Sequence, residues 1–245
     1  GDLLQEIDGG LADLLDDEIQ GAVGLPGLAE HRVDVRQQHR IAASGAPFLT
    51  SESLMGLQEL PTHLVILGAG YISLEYAQVY ARFGSAVTVI EHGERLLPRE
   101  DEEVARTVRA VLERDGVRFR VGANATALER AGSGIALVVD GQRLAGSHLL
   151  VAIGRQPNTE ALDLARAGVT CDAHGIVPVD DQLRANVPGI WVLGDANGRG
   201  AFTHTSYNDY EIVAANLLDD DPRRVSDRVP AYALIGRRYR RLGGV

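Results

Sequence analysis

The chain has 245 residues, 45% of them hydrophobic, and a formal net charge of −10 at pH 7, so it can bury a core in one large or two small domains and is not a disordered chain. The acidic balance excludes general nucleic-acid binding, because a phosphate backbone is held by clustered positive side chains. One cysteine, Cys171, and the lack of an apolar run of about 18 residues predict a soluble cytoplasmic protein with no intramolecular disulfide, no thiolate metal cluster and no membrane partner.

Residues 1–60 are predicted to be a separate N-terminal segment without a clear fold. Every charged residue from Gly1 to Glu30 is acidic, and apolar residues recur among them at helical spacing, which predicts one or two amphipathic helices broken at Gly9-Gly10. A solvated helix face explains such a charge run without any binding role. Residues 21–51 mix Gly, Pro, His and Arg without a clear period, and we interpret them as a connector.

The segment from Leu64 to Ser73 predicts a strand, a glycine turn and the start of a helix. The apolar run Leu64–Leu67 is typical of a buried strand, and the turn after it has the sequence GAGYIS. Gly68 permits the tight turn. Gly70 has no Cβ to hold a pyrophosphate away from the amides at the helix N-terminus, where the helix dipole favours negative charge. Ser73 replaces the third glycine of the usual fingerprint, and its small side chain still allows close helix–strand packing.

A second apolar run, Ala86–Ile90, completes a βαβ unit of the kind that binds dinucleotides. The run ends in Glu91, about twenty residues past the glycines, where a carboxylate accepts hydrogen bonds from an adenosine ribose. The alternative is an ordinary glycine turn in an α/β domain. Strand, helix, second strand and acidic end together favour the dinucleotide site.

The next residues predict a second helix and a third parallel strand. The helix is expected over Arg99–Asp115, with Gly116 as its C-terminal stop. Val117–Val121 alternates apolar and polar residues and predicts the strand. The apolar face of the helix is formed by Val104, Val108, Val111 and Leu112.

A change of pattern at Ala125 predicts that the last crossover is a strand meander. Two short strand-like runs, one ending at Glu129 and one at Ile135–Val139, flank a predicted hairpin at Ala131–Gly134. The apolar run Leu149–Ile153 then returns the chain to the parallel sheet. The predicted fold class is therefore α/β, a doubly wound parallel sheet with a β-meander crossover.

After that strand the pattern predicts a loop, a short helix at Leu162–Ala167 and a strand at Ile176–Val179. Residues Gly189–Asp195 predict a further buried strand whose end presents the carboxylate of Asp195 beside Gly194. A carboxylate accepts hydrogen bonds from hydroxyls and a glycine lets a ligand approach closely, so this end suits a polyol. A plain strand-end turn is the alternative.

A last helix and an arginine-rich tail follow. Thr203 or Ser206 is placed to cap the helix. The tail beyond Asp221 is either an interaction arm or, more simply, a solvated end. The apolar face of the helix is formed by Ile212, Val213, Ala215 and Leu217.

Three motifs in this order resemble the FAD-dependent pyridine nucleotide–disulfide oxidoreductases of class I, in particular their mercuric-reductase-like and dihydrolipoyl-dehydrogenase-like members. They are GAGYISLE at residues 68–75, LLVAIGRQPNT at 149–159 and GIWVLGDANGRGAFTHTSYNDYE at 189–211. The resemblance covers about residues 48–232. It implies a Rossmann-like FAD/NAD(P)-binding fold, followed by part of a second FAD-binding region.

The resemblance also implies a set of cofactor-binding positions and no catalytic or metal-ligating residue. Tyr71 would cover the nicotinamide pocket as a gate, and Glu75 would contact the nicotinamide end. Asp195 would hydrogen-bond the FAD ribityl chain, and the helix that opens near Thr203 would point its N-terminus at the flavin. The full set is Gly68, Ala69, Gly70, Tyr71, Ile72, Glu75, Glu91, Gly154, Gly194, Asp195 and Thr203.

The expected cofactors are FAD and NAD(P)H, with NADH favoured. A carboxylate at Glu91 repels a 2′-phosphate and accepts from a free 2′-hydroxyl, although Arg95 lies close enough in sequence to leave NADPH open. The implied domains are the N-terminal segment at 1–60, an NAD(P)-binding domain at 61–155, the C-terminal portion of an FAD-binding domain at 156–229, and a divergent basic tail at 230–245.

Several parts of the family pattern are missing, which implies truncation or rearrangement. The chain has neither the first FAD fingerprint nor the CxxxxC redox pair, and it lacks the dimerisation domain through which family members homodimerise. The first hypothesis is an FAD- and NAD(P)H-dependent oxidoreductase that transfers hydride between nicotinamide and flavin. The second is a catalytically incomplete dinucleotide-binding fragment. A third, hydrolase chemistry through Ser206, His204 or Asp209, rests only on common residue types at a helix start.

Overall fold

A computed structural model describes Ile41, residues 43–98 and residues 100–229. These residues divide after Gly154 into two compact units. We call the described residues up to Gly154 the sheet unit and residues 155–229 the C-terminal unit. The helices predicted within residues 1–30 and the basic tail predicted for residues 230–245 lie outside the described residues.

The sheet unit contains a parallel sheet and an antiparallel meander. Its elements are, in chain order, α1 (Ser51–Leu54), β1 (His63–Leu67), α2 (Tyr71–Arg82), β2 (Ala86–Ile90), α3 (Glu102–Arg114), β3 (Arg118–Arg120), β4 (Ala125–Ala131), β5 (Gly134–Val139), β6 (Gln142–Gly146) and β7 (His148–Val151). The parallel sheet has the strand order β3-β2-β1-β7, and β4, β5 and β6 form the meander. The chain runs outward from β1 to β3 and returns through the meander to the other side of β1. This topology confirms the predicted fold class.

Strands β1 and β2 are apolar apart from His63 and Thr88, because both faces of the parallel sheet are covered. Leu64 and Ile66 belong to a buried cluster with residues of α2 and α3, whereas Val65 and Leu67 belong to a second cluster with residues of the meander. Each fully buried aliphatic side chain contributes about 1.5–3 kcal/mol to stability. The carboxyl edge of the sheet is therefore fixed from both sides.

Helix α2 begins directly after the glycine turn and packs closely on the sheet. Its N-cap is Gly70, and its buried positions include Ser73 and Ala77. Ser73 is fully buried, and its hydroxyl lies 3.5 Å from the carbonyl oxygen of Ala152. The small side chain at this position fits the close helix–strand contact that the sequence predicts there.

Helix α3 is shorter than the predicted Arg99–Asp115, and one residue of its predicted apolar face, Val104, does not face the core. Ala105 and Leu112 are buried, while the side chain of Val104 is 44% exposed. Ala105 and Leu112 are seven residues apart and lie on one face, whereas successive residues are rotated by about 100° around a helix, so Val104 is turned away. Strand β3 is likewise shorter than the predicted Val117–Val121.

The C-terminal unit is built around one long helix, α4 (Thr203–Leu218). The other regular elements of this unit are the 3₁₀ helices Glu160–Leu162, Leu164–Ala167, Gly194–Asn197 and Val225–Asp227. Over residues 155–229 the β-structure consists of one isolated bridge, between Arg184 and Trp191. Loops and turns therefore make up most of this unit.

Three predicted elements of this unit are wrong. The helix Leu162–Ala167 is replaced by two 3₁₀ turns separated at Asp163, which has a φ of 48°. Neither Ile176–Val179 nor Gly189–Asp195 is a strand, and most of the second segment is partly exposed. A strand requires neighbouring strands to satisfy its backbone groups, and the described residues of this unit provide only the single bridge.

The predicted cap of α4 is also wrong. The N-cap is Phe202, which offers no polar side chain, and Thr203 is the first helical residue. The hydroxyl of Ser206 donates to the carbonyl oxygen of Phe202 over 3.3 Å instead of capping an amide. Within the described ranges, none of the helices has both the length and the apolar character needed to span a bilayer.

Candidate functional site

The glycine turn after β1 is held by backbone contacts on three sides. The amide of Gly68 donates to the carbonyl oxygen of Ile90 over 2.8 Å, and the carbonyl oxygen of Ala69 accepts from the amide of Leu97 over 3.2 Å. Gly68 has a φ of 102°, and a Cβ built there would overlap the carbonyl oxygen of Ala152. Gly68 is thus required by the fold itself, before any ligand is considered.

Gly70 differs from Gly68 in both backbone and surroundings. Its φ of −81° and ψ of −177° are extended values that any residue adopts, and a Cβ built there meets nothing within 4 Å. It forms the N-cap of α2, whose first turn carries no acidic residue and receives no capping side chain. An open space at a helix N-terminus suits an anion such as a pyrophosphate.

Glu91 connects the glycine turn with the loop that follows β2. Its Oε2 accepts from the amide of Ala69 and its Oε1 from the amide of Gly93, each over 2.7 Å. Each carboxylate oxygen has two lone pairs, so Glu91 can also accept from ribose hydroxyls. The sequence predicts the ribose role and gives no signal of the bond to Ala69.

The side chains near the start of α2 have further contacts. The phenol of Tyr71 donates to Oε1 of Glu100, a residue in the loop before α3 that sequence reasoning missed. Ile72 and Glu75 are half-buried. Burial raises the pKa of Tyr76, and the charge of Glu75 raises it further.

The topology brings the predicted nicotinamide-binding residues to one edge of the sheet. The order of the strands reverses beside β1, because β2 lies on one side of it and β7 on the other, and open α/β sheets bind ligands at the carboxyl ends of strands at such a switch point. Gly154, with a φ of 141°, ends the turn after β7, and the backbone of Ala152 in that turn contacts Gly68. The residues along this edge and in the first turns of α2 are Gly68, Ala69, Gly70, Tyr71, Ile72, Glu75, Glu91 and Gly154.

The other predicted positions, Gly194, Asp195 and Thr203, lie in the C-terminal unit. Gly194 has a φ of 73° and is buried, and it opens the 3₁₀ turn that presents Asp195. Asp195 is partly exposed, and its Oδ2 lies 2.7 Å from Nη2 of Arg155. Arg155 also donates to the carbonyl oxygen of Ala201 over 3.2 Å. Sequence reasoning did not single out Arg155.

A buried carboxylate, Asp209, lies behind this turn. Its Oδ2 accepts from the amide of Gly194 over 2.8 Å and from Nδ2 of Asn197 over 2.7 Å, and its Oδ1 accepts from Arg228. Asp209 is fully buried. Its oxygens accept from Gly194, Asn197 and Arg228 and not from a histidine, so the geometry does not support hydrolase chemistry.

Thr203 is exposed at the first position of α4. The rings of Phe202 and His204 stack there, with centroids 5.3 Å apart. Among the described residues, no group of three or more His, Cys, Asp or Glu side chains is arranged to hold a metal ion. Cys171 is an exposed free thiol.

The chain matches known proteins over most of its length. A model of the family described as pyridine nucleotide-disulphide oxidoreductase matches residues 23–209. Over 178 residues the chain is 38% identical to RclA of Escherichia coli (strain K12). This match covers 73% of this chain and 40% of RclA. The chain is also 37% identical over 201 residues to a mercuric reductase of Streptomyces lividans. This match covers 77% of this chain and 42% of the reductase.

A solved structure of a related protein is also similar to this chain. The HOCl-induced flavoprotein disulfide reductase RclA from Escherichia coli superposes with a TM-score of 0.73 at 36% identity, over 77% of this chain and 43% of that one. The chain spans less than half the length of these relatives. The matched residues include the glycine turn of the sheet unit and the Gly194 turn of the C-terminal unit.

Proposed function

Because the chain belongs to the pyridine nucleotide-disulphide oxidoreductase family, we propose that its sheet unit binds a nicotinamide dinucleotide and that its C-terminal unit supplies part of an FAD site. The activity is hydride transfer between nicotinamide and flavin. The observation that carries this proposal is the open N-terminus of α2 at Gly70, beside the carboxylate of Glu91.

The nicotinamide dinucleotide is held at two points in this proposal. The amides at the start of α2 donate to the pyrophosphate, which the open space at Gly70 admits. Glu91 accepts from the hydroxyls of the adenosine ribose while its existing bonds to Ala69 and Gly93 keep the carboxylate in place. Tyr71, held by Glu100, and Glu75 face the nicotinamide end.

Glu91 and Arg95 together favour NADH over NADPH. The guanidinium of Arg95 donates to the carbonyl oxygen of Pro98 over 2.7 Å, so this cation is engaged by its own loop. A 2′-phosphate would then meet the negative carboxylate of Glu91 while the guanidinium of Arg95 is bonded to Pro98. We expect NADPH to bind more weakly for this reason.

The FAD contribution rests on the Gly194 turn and the start of α4. Asp195 is exposed enough to accept from ribityl hydroxyls, and the φ of 73° at Gly194 shapes the turn that presents it. The N-terminus of α4 near Thr203 stabilises negative charge on the flavin ring system. When bound, the flavin supplies the redox chemistry and the protein supplies position and electrostatics.

A second candidate function is dinucleotide binding without disulfide reduction. The 245 residues contain one cysteine, so they do not supply the pair of thiols that a redox dithiol requires. The chain also spans less than half of its relatives, which include a flavoprotein disulfide reductase. This candidate has the same nicotinamide site as the first but binds no flavin.

One experiment separates the two candidates. The purified chain is titrated with NADH and with NADPH by calorimetry, and its visible spectrum is recorded before and after anaerobic addition of NADH. A flavin band that bleaches supports hydride transfer. A colourless protein that binds NADH supports the second candidate, and a chain that binds neither dinucleotide contradicts both.

A further inference from the structure

Asp209 is the one acidic or basic side chain that is buried among the residues the structure describes. An ionised carboxylate inside a protein is costly unless hydrogen bonds and an opposite charge compensate for the lost water. The proposed chemistry does not use Asp209, since a fully buried side chain cannot touch a cofactor. Its partners therefore indicate what it does.

The partners of Asp209 are the two ends of the turn that presents Asp195. Its Oδ2 accepts from the amide of Gly194 and from the side-chain amide of Asn197, the first and last residues of that 3₁₀ turn. Asn197 also donates to the carbonyl oxygen of Val192, just before the turn, over 3.0 Å. One carboxylate oxygen of Asp209 thus joins the first and last residues of the turn.

The other oxygen of Asp209 accepts from Arg228, which is held in place by its own neighbours. Nε of Arg228 donates to Oδ1 of Asn208 over 2.7 Å, and the side chain is only 12% exposed. Ser226, two residues before Arg228, is bound to the carboxylate of Asp181 through its hydroxyl, over 2.6 Å, and through its amide, over 3.0 Å. The counterion of Asp209 is therefore fixed by a separate set of bonds.

We infer that Asp209, with Arg228 as its counterion, is a positioning residue that sets the Gly194–Asn197 turn and so aims the carboxylate of Asp195 at the ribityl chain. This inference rests on the proposed FAD role of Asp195. The geometry of the turn itself, however, is a property of the chain without any cofactor. The experiment therefore measures the turn and the cofactor separately.

The first measurement is amide hydrogen exchange over residues 190–198 of the full chain. Asp209→Asn places an amide N–H against one of the donors that the carboxylate now accepts, so exchange at Gly194 should become about tenfold faster. Exchange at the glycine turn 68–71 should not change. The matched control is Asp219→Asn, an exposed acidic residue just after α4, which should leave exchange at Gly194 unchanged.

Two results would overturn the inference at this stage. One is unchanged exchange at Gly194 in Asp209→Asn. The other is an equal acceleration throughout residues 155–229, which shows a general loss of stability. If Asp209→Asn does not fold, Asn197→Ala removes one donor of the same set without exposing a buried charge, and exchange at Gly194 should then be about 2- to 10-fold faster. Unchanged exchange in that variant contradicts the inference equally.

The second measurement is a double-mutant cycle on FAD affinity with Asp195→Asn and Asp209→Asn. If Asp209 acts through Asp195, the double variant should bind FAD within about twofold of Asp195→Asn alone. Independent, multiplying losses would refute the positioning role. If the unmodified chain binds no FAD, the proposed function of Asp195 fails, while the exchange measurement still decides whether Asp209 sets the turn.

Discussion

The glycine turn at residues 68–70 and the turn at residues 194–197 are both proposed to meet a cofactor, yet they are held in different ways. The first follows a parallel strand, and its amides and carbonyls bond to neighbouring backbone and to Glu91. The second lies in residues 155–229, which form no sheet of their own, and a buried carboxylate, Asp209, binds both of its ends.

The two units also differ in the size of their apolar cores. Both large apolar clusters belong to the sheet unit. The buried hydrophobic side chains described in residues 155–229 are Val169, Val177, Leu183, Ile212 and Ala215. We expect the glycine turn, which rests on an apolar core, to be sensitive mainly to added side-chain bulk. We expect the Gly194 turn, which rests on polar bonds, to be sensitive mainly to the loss of a single charged side chain. Four predictions test this contrast.

The largest effect is expected for Asp209→Ala. It leaves Arg228 buried without a counterion and two donors of the Gly194 turn without an acceptor, so we expect a loss of about 3–5 kcal/mol in the stability of the C-terminal unit. Urea unfolding measures this loss. Asp219→Ala, at an exposed position, should change stability by less than about 0.5 kcal/mol. Equal stability of the two variants would contradict the proposed reliance on one buried charge.

The next effect separates the two glycines of the first turn. Gly70→Val should fit the fold, since its Cβ meets nothing within 4 Å, but should fill the pyrophosphate space and weaken NADH binding by about 100-fold, or about 2.7 kcal/mol. Gly68→Ala should instead lower stability by about 1–3 kcal/mol through its φ of 102°.

Calorimetric titration and thermal unfolding of both variants check this pair. Ala110→Val adds two methyl groups on the exposed face of α3 and serves as the control for added bulk. Full NADH affinity in Gly70→Val would refute the phosphate role of the helix N-terminus.

A smaller effect is expected for Glu91→Gln. The side-chain amide keeps one acceptor oxygen and turns an N–H toward the amide of Ala69 or Gly93, so we expect about tenfold weaker NADH binding. NADPH binding should fall less, because the negative charge near its 2′-phosphate is removed. The ratio of the two dissociation constants is the readout, and an unchanged ratio would show that Glu91 does not choose between them.

The smallest effect concerns the pH dependence of the C-terminal unit. The hydroxyl of Ser226 is the main cause that holds the pKa of Asp181 below its usual range. A carboxyl whose folded pKa is lowered adds stability above its unfolded pKa of about 3.9, and this contribution is lost as pH falls through the folded pKa. We therefore expect Ser226→Ala to lower the unfolding temperature at pH 6 and to match the unmodified chain near pH 2.

Thermal unfolding between pH 2 and pH 7 measures that difference. Its size should be small, because the pair lies at the surface, where solvent screens the charge. If the unfolding temperatures of Ser226→Ala and the unmodified chain differ more as pH falls, the lowered pKa of Asp181 does not explain the difference.

The sheet unit could be predicted well because its signals are local. Buried parallel strands give continuous apolar runs, and the turn after β1 needs a glycine whatever follows. The contacts that join distant residues gave no such signal. Tyr71 and Glu100 are 29 residues apart, and their bond depends on how the loop before α3 returns to the sheet edge.

The C-terminal unit was predicted less well for a physical reason. The segment Gly189–Asp195 has the composition of a buried strand, but pairing partners decide whether a strand forms, and the described residues offer one bridge at Trp191. Arg155 and Asp195 are 40 residues apart, and Asp209 and Arg228 are 19 apart. Composition alone could not place these pairs together.

The bond from Ala69 to Glu91 has a consequence for the evolution of cofactor choice. In this chain the carboxylate that we propose discriminates at the ribose also secures the turn that we propose receives the pyrophosphate. A lineage that exchanged Glu91 for a residue tolerant of a 2′-phosphate would leave the amide of Ala69 without its acceptor. We therefore expect a switch to NADPH to require a compensating second substitution, so the two changes would be inherited together.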